Sequence, residues 1–160
     1  MKLLPLIRLL TLALALAALG PTAARAEDPP HAGRMVLPAD LEWADAKGIP
    51  PGAKVVVIEG PPNEAVPFTL RVKFPADYKL PAHWHPVIDH VTVLSGTLNF
   101  AFGDKLDTEK TKALTPGSIV ITPPKTNHFL WTSEETVVQV HGVGPMDIHY
   151  VNPEDDPRKK

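Results

Sequence analysis

The sequence predicts an all-β protein, a barrel or sandwich of which a double-stranded β-helix, or jelly roll, is the best match. Three observations predict it. Short runs rich in Val, Ile, Leu, Phe and Thr recur at near-regular spacing, and several alternate apolar with polar residues at the period of two that half-buries a strand. No stretch carries a convincing long helical period. The 19 prolines of this 160-residue chain fall at the ends of those runs and not in tracts, so they punctuate strands and do not mark low complexity.

At the start of the chain, Lys2 and Arg8 precede an apolar run from Leu9 to Leu19, and Ala24-Arg25-Ala26 offers a small-x-small site before Glu27. This is the pattern of a secretory signal peptide over residues 1–26, with an apolar core too short for a comfortable membrane span. The expected location is the bacterial periplasm or the exterior. There is no cysteine, so neither a lipid attachment site nor a disulfide is available. Cleavage removes three basic and no acidic side chains from totals of 16 and 18, leaving 134 residues with a formal charge of -5. That balance argues against a nucleic-acid partner, and after cleavage no segment is apolar enough to hold the chain in a membrane. The length suits one domain.

Residues 27–34 read as a polar, flexible lead-in, in which His31 is a solvated histidine without a role. Pro38 to Trp43 is too short for a periodic helix and reads as an extended or turn-like approach, with Trp43 packed on the barrel. Lys54 to Glu59 is a Val-Val-Val-Ile strand ended by Gly60-Pro61-Pro62-Asn63, and Phe68, Leu70, Val72 and Phe74 alternate with Thr69, Arg71 and Lys73 in a half-buried strand. A further strand is expected from Ala82 to Leu94, and Gly96 turns the chain into Leu98 to Phe102. Residues 104–113 are charged and read as a solvated loop with a helical turn. Thr115-Pro116-Gly117 leads into Ser118 to Thr122, Pro123-Pro124-Lys125 into His128 to Trp131, and Thr136 to His141 and Asp147 to Val151 complete the strands. The barrel is expected over residues 35–155, followed by a charged surface tail over 156–160.

The chemistry concentrates in Pro81-Ala82-His83-Trp84-His85-Pro86-Val87-Ile88-Asp89-His90, with His128 further along. Alternate residues of a strand share a face, so His83 and His85 present two imidazoles side by side while Trp84 turns away. A His-x-His pair alone is a weak motif found on many solvated strands. Here a carboxylate, Asp89, follows on the same parity, His90 stands next to it on the other, and a Ser-Gly turn comes after. Imidazole nitrogen with one oxygen donor suits Fe, Mn, Zn or Ni.

These residues resemble the cupin superfamily. Its first motif, G-x5-H-x-H-x3,4-E-x6-G, is met by His83, His85 and Gly96, with Asp89 in the glutamate position; its second, G-x5-P-x-G-x2-H-x3-N, is met by Gly117, Pro123 and His128. Asp77, Lys125 and Thr132 stand where the pattern has glycine, glycine and asparagine. The Pro-Ala-His-Trp-His-Pro run, the His-Val-Thr-Val-Leu-Ser-Gly run and the Val-Gln-Val-His-Gly-Val-Gly-Pro segment are similar to small secreted bacterial cupins related to the cupin half of ChrR-type regulators. The resemblance implies a jelly roll holding one divalent metal ion on His83, His85, Asp89 and His128.

For the fourth ligand, Asp89 is expected over His90 or water, because regular alternation from Asp89 also turns Val91 and Val93 into the core. A bulge near Pro86 would reverse that parity. Three imidazoles and one carboxylate leave open positions in an octahedral shell. The first functional expectation is therefore a metalloenzyme of dioxygenase, isomerase or lyase type acting on a small organic acid, phenol or carbohydrate derivative. The alternative is a non-catalytic module in which the metal helps to bind or sense a small ligand. Gln139 and His141 share one strand face and are the candidate catalytic donors if that face is inward; with Val138 and Val140 inward instead, the pocket is drier and the binding reading gains. His149 reads as an outward histidine. Exposed strand edges point to a two-fold homodimer.

Overall fold

Phe68, Leu70, Val72 and Phe74 turn to the inside of the molecule from a strand paired on both edges, as their alternation requires. The computed structural model describes residues 33–160; the expected signal segment and cleavage site, His31 and most of the expected lead-in lie outside the described residues. Eleven strands follow one another among the described residues: β1 (Ala44–Asp45), β2 (Lys54–Glu59), β3 (Pro67–Phe74), β4 (Lys79–Trp84), β5 (Asp89–Ser95), β6 (Leu98–Phe102), β7 (Lys112–Leu114), β8 (Ile119–Thr122), β9 (His128–Trp131), β10 (Thr136–Val143) and β11 (His149–Tyr150). They form two antiparallel sheets, ordered β1-β2-β3-β10-β5-β8 and β11-β4-β9-β6-β7. This is the double-stranded β-helix that the strand spacing predicts.

The two sheets bury a common core of Phe68, Phe74, Leu80, Val93, Leu98, Phe100, Leu130 and Val138. On β5 and β10 every second residue is buried, so burial comes from their inner faces, whereas β6 and β9 each bury three residues in succession. On β10 the inward residues are Val138 and Val140, with Gln139 and His141 outward. On β5 they are Asp89, Val91 and Val93.

The expected continuous strand from Ala82 to Leu94 is two strands in different sheets. Pro86 cannot donate to a ladder, and the chain leaves β4 after Trp84, crosses at His85 to Ile88, and enters the other sheet at Asp89. Two short strands were not expected, β1 beside Trp43 and β7 at the end of the charged loop, and a 3-10 turn at Thr108–Lys110 supplies the loop's helical turn. Trp43 packs under the Lys73 ammonium, which lies 4.8 Å from its ring centre.

Met35–Lys160 forms one unit, and the charged C-terminal residues belong to it. Two 3-10 turns, Pro153–Asp155 and Pro157–Lys159, fold the end of the chain back, with Asp156 buried and bound by both the backbone and the guanidinium of Arg158. Of the charged surface tail expected over residues 156–160, Arg158, Lys159 and Lys160 are exposed and Asp156 is buried. No helix among the described residues is long and apolar enough to cross a membrane.

Candidate metal centre

His83 lies on β4, His85 one residue beyond its end, and His128 opens β9 directly opposite His83 in the register of the two strands. Their rings meet at centroid distances of 4.2 Å (His83 to His128), 5.1 Å (His83 to His85) and 5.3 Å (His85 to His128). One nitrogen from each can be chosen so that all three lie within 4.8 Å of one another, a group able to hold a metal ion. Trp84 turns away, as alternation demands, and stacks on His149 at 4.1 Å outside the site.

The second nitrogen of each ring is tied down. His83 Nδ1 donates to Pro81 O at 2.7 Å, His85 Nδ1 to Asp147 O at 2.7 Å, and His128 Nδ1 to Thr126 O at 2.9 Å. A carbonyl only accepts, so each Nδ1 carries the proton and each Nε2 offers a lone pair. The electrostatics agree. Burial, followed by the His128 and His85 imidazoles, holds His83 well below its ordinary range, and burial lowers His128 to about 4. Two of the rings are therefore neutral at neutral pH, the form a metal needs. Phe100 stacks on His128 at 5.3 Å and backs it with an apolar wall.

Asp89 reaches the same cavity from β5, in the opposite sheet. It is 1% exposed and its Oδ1 has no hydrogen-bond partner among the described residues. Desolvation raises its pKa, against the opposing pull of His85. It stands outside the set of nitrogens within 4.8 Å. His90 takes the other face of β5, where it neighbours His141 at 6.4 Å between ring centres. Gln139 and His141 are likewise on the outer face of β10: Gln139 accepts from Arg71 Nε at 3.2 Å, and His141 Nδ1 meets Thr69 Oγ1 at 3.1 Å. Neither lines the cavity.

The cavity itself has a volume near 390 Å³ and opens between the two sheets. Leu70, Val72, Leu80, Val91, Val140 and Ile148 are among its apolar walls, the three histidines and Asp89 form its polar patch, and Lys47, Asp147 and Arg158 are its exposed charged residues. Sequence reasoning did not find Asp147, whose backbone carbonyl orients His85. A main-chain acceptor 62 residues away leaves no residue-type signal.

Residues 70–144 match a family model described as a cupin domain. No curated protein matches this chain in sequence. Among solved structures, the polyketide cyclase RemF from Streptomyces resistomycificus is similar at a TM-score of 0.66 and 16% identity, over 80% of this chain and 92% of that one. The DMSP lyase DddQ from Ruegeria pomeroyi gives 0.58 and 20%, over 72% and 64%. Salicylate 1,2-dioxygenase from Pseudoaminobacter salicylatoxidans gives 0.52 and 12%, over 62% and 29%. At such identities the likeness is one of fold.

Proposed function

We propose that this cupin domain binds one divalent transition metal ion and uses it on a small organic acid, phenol or carbohydrate derivative, in chemistry of dioxygenase, isomerase or lyase type. The observation that carries the reading is the convergence of three buried imidazoles, each with Nδ1–H tied to a backbone carbonyl, on an apolar cavity of about 390 Å³. The donor set fits Fe, Mn, Zn or Ni, and the buried Asp89 Oδ1 without a partner is an atom that a cation would satisfy. We take Asp89 as the fourth, more distant donor. When bound, the metal would supply Lewis-acid or redox chemistry at its open positions. The chain's own part is to hold three imidazoles in one tautomer, to exclude water with aliphatic walls, and to keep one carboxyl group facing the ligand.

The fold neighbours include a cyclase, a lyase and a dioxygenase, which supports small-molecule chemistry without selecting a reaction. A second reading, a metal-dependent binding or sensing module, is supported by the inward Val138 and Val140 and the outward Gln139 and His141, which leave the cavity few protic groups. The same proposal places the mature chain, cut before Glu27, in the periplasm or outside the cell, where its intact mass would show the cleavage. Exposed Ile119 and Ile121 on the edge strand β8 support a two-fold dimer.

The deciding experiment is elemental analysis of protein purified from its native source, followed by a thermal-shift screen of small acids, phenols and sugar acids and by product analysis on each hit. About one equivalent of metal with turnover of a hit supports the enzyme, and metal with binding but no product supports the module. Metal-free protein that gains no stability from any of the four ions would overturn both.

A further inference from the structure

We propose that residues 147–158 form a strap that sets the position and tautomer of His85, with Arg158 as the positioning residue that closes it. The inference rests on the reading of His83, His85 and His128 as metal ligands. It starts from an asymmetry within the triad. His83 and His128 donate to Pro81 O and Thr126 O, each two residues earlier on the same stretch of chain, so their orientation is built into their own segments. His85 lies beyond the end of β4 and donates instead to Asp147 O, 62 residues on. Its orientation depends on where that distant segment sits.

Arg158 fixes the segment from the far end. Its Nη2 donates to Ile148 O at 3.0 Å, and its Nη1 lies 3.5 Å from Asp147 Oδ1, so one guanidinium touches both residues around the carbonyl that holds His85. The guanidinium is itself held in a two-pronged pairing with the buried Asp156, Nε to Oδ1 at 2.8 Å and Nη2 to Oδ2 at 2.9 Å. Asp147 Oδ1 also accepts the Ile148 N–H at 2.8 Å, which stiffens the same turn. On the other side β11 pairs with β4, Tyr150 opposite His83, and Val151 N–H donates to Ala82 O at 2.9 Å. The strap is thus anchored to the ligand-bearing strand through His149 to Val151, and Arg158 at its far end closes back onto Asp147 and Ile148 at its start, where the His85 acceptor lies.

The test compares wild-type protein with Arg158→Ala, Arg158→Lys and a Lys159→Ala control. Two quantities are read: the nitrogen-15 shifts of the His85 ring in metal-free protein, and Zn2+ affinity by competition with a chromophoric chelator. In Arg158→Ala, His85 is expected to show mixed tautomers while His83 and His128 keep Nδ1–H, and Zn2+ affinity is expected to fall roughly three- to tenfold, below the full effect of losing a ligand's own partner. Arg158→Lys, which keeps a donor for Ile148 O, should recover part of both, and Lys159→Ala should change neither.

If Arg158 serves only stability, the alanine variant melts lower with the His85 tautomer and Zn2+ affinity unchanged, and the proposal is overturned while the metal reading stands. Wild-type protein that binds none of Fe2+, Mn2+, Zn2+ and Ni2+, while Arg158→Ala still shows the tautomer change, supports the strap and sinks the metal reading. Should Arg158→Ala not fold, Asp156→Asn, which weakens the guanidinium pairing and keeps its shape, is expected to show the same two changes at smaller size.

Discussion

The backbone N–H of Lys125 donates to the carbonyl oxygen of His85 at 2.8 Å, joining the loop before β9 to the crossing that follows β4. Lys125 makes this bond from a left-handed conformation, φ 59°. It stands where the cupin pattern has glycine, and so does Asp77, which shares the same φ of 59°. Among the described residues these are the two non-glycine positions with positive φ. The turns keep the geometry that glycine would give freely, and the side chains there carry the strain.

Lys125→Gly should therefore relieve strain without moving the bond to His85. The relief of about 1 kcal/mol is partly offset by the greater freedom of glycine in the unfolded chain, so the expected gain is about 0.5 kcal/mol. Urea unfolding of the metal-free protein measures it. A loss of stability would mean that the lysine side chain makes a compensating contact.

A second prediction concerns pH. In metal-free protein His83 and His128 have pKa values depressed below the ordinary 6.5, His128 to about 4, so below pH 6.5 the unfolded chain binds protons that the native state refuses. Their contribution is fully present above about pH 6.5 and is lost as pH falls towards 4. Asp89 works in the opposite sense. Its raised pKa gives stability that is present below the ordinary 3.8 and lost as pH rises through the shifted value. Melting temperature in the presence of a chelator should fall between pH 6.5 and 4.5, more steeply in Asp89→Asn and less steeply in His128→Gln. A flat profile in all three would mean that the imidazoles are not buried as described.

Much of this architecture could be read from the residues because burial on one face of a strand leaves a period of two in the sequence, plain in Phe68 to Phe74 and in Asp89 to Val93. The three histidines were legible because they stand at motif spacing in the sequence. Other features lie outside what a one-residue pattern encodes. Strands of two or three residues, such as β1 and β7, carry no period. The crossing from His85 to Asp89 joins two sheets, so counting parity along a single strand reached the right face of β5 over a path that the chain does not follow. On β10 both alternating sets, Val138 with Val140 and Gln139 with His141, are plausible inner faces until the neighbouring strands are placed, and the cavity takes the valines. The tail reads as solvated by composition, and its burial of Asp156 depends on Arg158, Asp147 and Ile148 meeting in space.

The last prediction concerns the fourth donor. Asp89 and His90 are adjacent on β5 and point to opposite faces, Asp89 into the cavity with His83, His85 and His128, His90 towards His141 on the outer surface. A ligand on the outer face could not reach the triad without inverting the strand, which would expose Val91 and Val93 as well. Asp89 faces the right way, yet it falls outside the cluster of nitrogens within 4.8 Å, as the short aspartate side chain in a glutamate position would suggest. Its contact with a metal should then be long or bridged by water. Competitive chelator titration should show weaker metal binding in Asp89→Ala, by several-fold and less than for any histidine of the triad, nearly unchanged binding in His90→Ala, and tighter binding in Asp89→Glu, whose extra methylene closes the gap. If Asp89→Glu binds more weakly than the wild type, the carboxylate is placed for proton transfer to a ligand and not for coordination. If His90→Ala is the variant that loses metal, β5 has the opposite register in the loaded protein.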